Sequence, residues 1–70
     1  MEQTINDIFE LTVKKMKESG AFERHDYQEL LEESIEYYRQ NGRIIDEDNI
    51  QFIMDELMSK LEQAQSRLSK

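Results

Sequence analysis

The stretch IQFIMDELMSKLEQAQSRL, residues 50–68, decides the fold class. Within it Ile50, Met54, Leu57, Leu61, Ala64 and Leu68 are separated by steps of 4, 3, 4, 3 and 4. That is the heptad spacing of a helical seam, here short of three full repeats. Ile53 and Met58 widen the same apolar face. Just upstream, Asp46 is placed to cap the helix, and Glu47 and Asp48 suit the positive end of its dipole. Ile45 and Ile50 have the spacing of a hydrophobic staple. The pattern predicts one helix over about 47–66, with a length of about 30 Å.

Two further helical stripes precede it. Ile5, Ile8, Phe9, Thr12, Val13 and Met16 share one face of a helix over about 5–18, with Thr4 as the expected cap. Ser19 and Gly20 end that helix, because glycine accepts the left-handed conformation after a C-terminus. Tyr27, Leu30, Leu31, Ser34, Ile35 and Tyr38 make the second stripe, over about 27–40. Asp26 is its expected cap, Glu29 completes a capping-box-like pair, and Asn41-Gly42 is the stop. No segment alternates with period two long enough to make a strand.

The reading is therefore all-α, a single domain over 1–70 built as a small antiparallel three-helix bundle. Its expected core is Ile5, Ile8, Phe9, Val13 and Met16 from the first helix, with Phe22 plugging one end from the connection. Leu30, Leu31, Ile35 and Tyr38 come from the second helix, and Ile45, Ile50, Ile53, Met54, Leu57 and Leu61 from the third. The first two helices would each reach about 21 Å, well short of the third. Leu61, Ala64 and Leu68 would then overhang into water. A domain this small gains from covering such a seam, so a homodimer or a docked partner protein is expected there.

Composition excludes several classes of activity. The 70 residues include no Cys and no Pro, and 16 Asp and Glu stand against 9 Lys and Arg, for a formal charge of −7. Disulfides, thiolate metal sites and cysteine nucleophiles are absent. Apolar runs are too short to cross a bilayer, and the start lacks the pattern of a secretory signal, so a cytoplasmic protein with no membrane partner is expected. The few cations are scattered, and Lys14, Lys15 and Lys17 serve a helix C-terminus, which argues against nucleic acid.

The catalytic and metal motifs also fail. His25 is the one histidine, so no two-histidine metal site and no His-Glu-x-x-His pattern exists. An EF-hand begun at Asp46 would need Gly at the sixth place and Glu at the twelfth, where Gln51 and Leu57 stand. Two isolated glycines make no phosphate loop. No catalytic residue, cofactor, metal or small-molecule substrate is expected, and the chain reads as a non-enzyme.

Several surface side chains remain to be explained. Phe52 falls on the polar side of the third helix and Leu11 off the stripe of the first, so both are candidate protein contacts with Leu61, Ala64 and Leu68. Glu29, Glu32, Glu33 and Glu36 line the second helix opposite its apolar stripe, with Arg39 as local relief. Glu10 with Lys14 and Glu56 with Lys60 are favourable pairs one turn apart. Two functions follow. The first is a small acidic protein-interaction module, an adaptor or regulator, working through helical surfaces. The second is an acidic inhibitor, a nucleic-acid mimic or antitoxin-like protein, that meets a basic surface with the glutamate stripe.

Overall fold

The computed structural model describes residues 2–44 and 47–69, with the side chains of all of these but 47 and 48. The expected cap Asp46, the staple residue Ile45 and the side chains of Glu47 and Asp48 lie outside that description. The described residues form four helices, α1 (Glu2–Ser19), α2 (Arg24–Gln40), α3 (Glu47–Met58) and α4 (Leu61–Leu68). No strand occurs among them. None of these helices is long and apolar enough to cross a membrane.

The two early stripes are buried as their spacing requires. In α1 the buried residues are Ile5, Ile8, Phe9, Thr12, Val13 and Met16, and in α2 they are Tyr27, Leu31, Ser34 and Ile35. Leu30 and Tyr38 are half-buried at the edges of the α2 stripe. The two helices run antiparallel, since Thr12 meets Ser34 at 3.0 Å and Arg43, just past α2, reaches back to Asp7 at 2.8 Å. At the α1–α2 crossing the Thr12 and Ser34 hydroxyls also approach the carbonyls of Ile8 and Leu30, one turn back, at 2.8 and 2.9 Å. Each hydroxyl has one proton, and the chain Thr12 to Ser34 to Leu30 uses both. Small side chains at this level let the helices approach closely while their polar atoms stay paired.

Both glycine stops perform as read. Gly20 has φ +72° and Gly42 φ +78°, the left-handed region where a side chain is strained. After α1, the amides of Gly20 and Ala21 both donate to the Met16 carbonyl, at 2.9 and 3.2 Å. After α2, Gly42 donates to Arg39 and Arg43 to Tyr38, a Schellman closure that delivers Ile44 into the core.

The helix starts are corrected. Thr4 lies inside α1, which begins at Glu2, and it caps nothing. The α2 cap is Glu23, and Asp26 is the third helical residue, accepting from the Glu23 amide at 3.3 Å. The capping box is therefore Glu23 with Asp26, one turn earlier than a box of Asp26 with Glu29. Phe22 is corrected too. It plugs nothing and is 61% exposed.

The largest departure is the third helix. It breaks at Ser59-Lys60, and α4 packs on α1 while α3 packs mainly on α2. Leu61, Ala64 and Leu68 therefore do not overhang. Ala64 is fully buried, and Leu61 and Leu68 pack half-buried against the core. The seam expected to need a second copy or a partner is closed on α1 of the same chain. At the break, the Leu57 carbonyl accepts the Lys60 amide at 3.0 Å and the Tyr27 hydroxyl at 2.5 Å. Tyr27 is fully buried, and burial pushes its hydroxyl up to about 12, so it stays a protonated donor.

Removing this donor has a defined cost. Tyr27→Phe should lose about 1–2 kcal/mol, which lowers the melting temperature by roughly 5–10 °C for a domain of this size. Tyr37→Phe, on an exposed ring, should change it by less than about 2 °C. Thermal unfolding followed by circular dichroism compares the two.

Candidate interaction surfaces

Three surfaces collect the side chains that the core does not use. The first is one end of the bundle. The α1–α2 connection, Ala21 to Glu23, crosses the end of α4, and the Gln65 side-chain amide donates to the Phe22 carbonyl at 2.9 Å. That bond holds the connection while the Phe22 ring stays out. Two open grooves meet at this ring, one of about 240 Å³ lined by Phe22, Gln65, Leu68 and Ser69. The other, about 200 Å³, is lined by Met16, Lys17, Gly20, Ala21, Phe22 and Leu68. Phe22 and Leu68 are common to both, so the two grooves make one continuous, largely apolar surface.

The second surface is the outer face of α2. Glu29, Glu32, Glu33 and Glu36 are all exposed there, as expected. Two of the four have cations of their own. Arg39 reaches Glu36 at 3.1 Å, and Lys15 of α1 reaches Glu33 at 3.6 Å. The Arg39 pair was legible from its spacing along the helix. The Lys15 pair crosses between helices and carried no sequence signal.

The third is the α1–α4 junction. Arg67 forks onto Glu10, with its two terminal nitrogens 2.9 and 2.7 Å from the two carboxylate oxygens. The Arg67 and Lys60 cations also stand over the Phe9 ring, at 5.9 and 6.0 Å from its centre. Glu10 therefore pairs with α4 rather than with Lys14. Beside the junction lies a wide, shallow groove of about 420 Å³, lined by Phe9, Glu62, Gln63, Ser66 and Arg67.

The sequence candidates are scattered over these surfaces. Leu68 belongs to the bundle end, Leu61 and the buried Ala64 belong to the α1–α4 seam, and Leu11 is half-buried on α1. Phe52 is 50% exposed on α3. Tyr37, 56% exposed with its ring edge-on to Tyr38, and Phe22 are the exposed aromatics that the helical stripes did not single out. The side chains of Glu23, His25 and Asp26 also converge, with ligand atoms within 4.8 Å of one another. His25 lies 3.2 Å from Asp26, whose other oxygen is engaged in the capping box. That grouping is what a capping box beside a histidine produces, and all of it lies at the surface.

Ion pairing lowers two carboxyl groups below their ordinary range. The Arg67 fork does so for Glu10, and hydrogen bonds from Arg43 and then Gln3 do so for Asp7. No protein-family model, curated protein or solved structure matches the chain.

The sign of the pH effect follows from those directions. A carboxyl lowered in the folded state contributes stability that is complete above its unfolded value and is lost as pH falls through the lowered one. The urea midpoint should therefore fall between about pH 5 and pH 3. Glu10→Gln should fall less steeply over that window. Both side chains of the Glu10–Arg67 pair are nearly half exposed, so added salt should shrink the difference.

Proposed function

We propose that this chain is a small, acidic, non-enzymatic protein-interaction module, an adaptor or regulator, that binds a partner protein or a second copy of itself through its helical surface. The observation that carries this reading is Phe22, a phenylalanine 61% exposed at the meeting point of two apolar grooves. A contiguous apolar patch with an aromatic at its centre is the usual anatomy of a docking surface. Phe22 is not loosely held. Its own carbonyl is tied to Gln65, and Gly20 sets the backbone course two residues before it. A pre-set aromatic loses little freedom on binding.

The occupant that suits this end is a partner segment presenting one or two large apolar side chains. Binding of that kind depends weakly on salt. The acidic-inhibitor reading makes the opposite demand, because a glutamate face meeting a basic surface weakens steeply as salt rises. The pairing of Glu33 with Lys15 and of Glu36 with Arg39 leaves that face less charge to offer. Glu29 and Glu32 would have to carry it.

Affinity capture with the intact chain, followed by titration of the captured protein, tests the reading. Phe22→Ser and Leu68→Ser should each weaken binding by about 30-fold, the loss of one anchor of about 2 kcal/mol. Phe52→Ser should stay within about threefold. Loss of binding in a variant carrying Gln at Glu29, Glu32, Glu33 and Glu36, with Phe22→Ser unaffected, would overturn it in favour of the acidic face.

A further inference from the structure

We propose that Ser59-Lys60 is a hinge through which α4 leaves its own α1, continues α3 as one straight helix, and seats on α1 of a second copy, in a reciprocal exchange. The proposal rests on the self-association half of the function proposed above and states how that association is built.

Three observations carry it. First, the break has none of the local signals that end the other helices. Both preceding turns place a glycine at positive φ, whereas no residue other than Gly20 and Gly42 has positive φ among the described residues. Neither Gly nor Pro occurs after Gly42. Second, α4 begins poorly. Its cap position is Lys60, which supplies no side-chain acceptor. Ser59, a good capping residue, spends its hydroxyl on the Glu56 carbonyl at 2.6 Å. No backbone bond joins the amides of Leu61, Glu62 and Gln63 to the carbonyls of Leu57, Met58 and Ser59. A straight helix would form all three. Third, the heptad runs through the break without a change of register, so a continuous helix keeps its apolar face in one line.

Neither residue at the bend requires it, as a glycine or proline would, and the contacts of α4 hold it in place. Those contacts are Ala64 in the core, Gln65 on the Phe22 carbonyl, and the Arg67 fork on Glu10. Every one of them joins α4 to α1 or to the connection after it, and a second copy supplies the same partners. Exchange thus keeps the contacts and adds helix bonds at the hinge, set against the entropy of association. A short connection of this kind invites exchange. The Tyr27 bond to the Leu57 carbonyl survives, because a carbonyl oxygen accepts two donors.

The test uses the whole chain, which has no cysteine to remove. Spin labels at Gln51→Cys and Ser66→Cys, both exposed positions, read the hinge. Labelled protein is diluted into unlabelled protein, so that only distances within one chain are measured. A straight helix separates the two backbone positions by about 22 Å, and the bend makes that distance shorter. Light scattering over a wide concentration range should show a dimer, with the long distance confined to the dimer fraction. Ser59→Gly with Lys60→Gly favours the bend over a continuous helix, and should raise the dimer dissociation constant about tenfold or more while the helical content of the monomer is kept. That variant leaves Phe22 and Leu68 in place, so partner binding at the bundle end should survive it. A monomer at millimolar concentration, or a dimer that keeps the short distance, would overturn the exchange and leave the partner-binding reading standing.

Discussion

A tyrosine buried in an all-helical core must give its hydroxyl proton to something, because an unpaired buried donor costs about 1–3 kcal/mol. Helices offer few free acceptors, since their carbonyls are already used one turn on. Tyr27 finds one at the end of α3, where the Leu57 carbonyl takes its proton and that of the Lys60 amide. In a continuous helix Leu57 would accept from Leu61. The tyrosine bond thus ties α2 to the last turn of α3 where the helix ladder is interrupted. It fixes the height of the last turn of α3 against α2, and α4 departs from that point to pack on α1.

The helical stripes of α1 and α2 were legible because their information is local. Apolar spacing selects one face, and that face is the buried one, down to Thr12 and Ser34. The glycine stops were legible for the same reason, since a left-handed turn needs a residue without a side chain. The α3–α4 break was not legible, because neither glycine nor proline marks it and a single serine inside a heptad is a weak stop. The contacts that hold it lie on α1, in the seat for Ala64 and the carboxylate of Glu10. The heptad correctly identified an apolar face, which within this chain is seated on the first helix. Phe22 was misread because apolar character alone does not separate a plug from a projecting ring. The Gln65 bond that settles it spans 43 positions.

The charge pattern follows a similar division. Cations close to their carboxylates in sequence, as Arg39 is to Glu36, could be paired by inspection. The pairs that join elements, Arg43 with Asp7, Arg67 with Glu10 and Lys15 with Glu33, could not. Four of the nine Lys and Arg are used on pairs within the chain, each with one carboxylate, so the net charge of −7 rests on the groups that remain unpaired. That favours solubility and opposes close approach of two copies, more so at low salt. An apolar bundle end and an exchanged helix are the two kinds of contact that act against such repulsion without opposite charge.

The connections also differ in what stabilises them. The turn after α1 and the turn after α2 each hold a glycine and backbone bonds of their own, so each favours its native course even before packing. The turn after α3 has an i,i+3 bond from Lys60 to Leu57 and no glycine to favour its course. The α4 helix is eight residues long, too short to be stable alone, and its only extensive packing is on α1. It is therefore the element of lowest local stability and the first to open. Its opening uncovers Ala64, Leu61 and Leu68 together with the apolar face of α1. Under the proposed exchange, that uncovered surface is the one a second copy would cover.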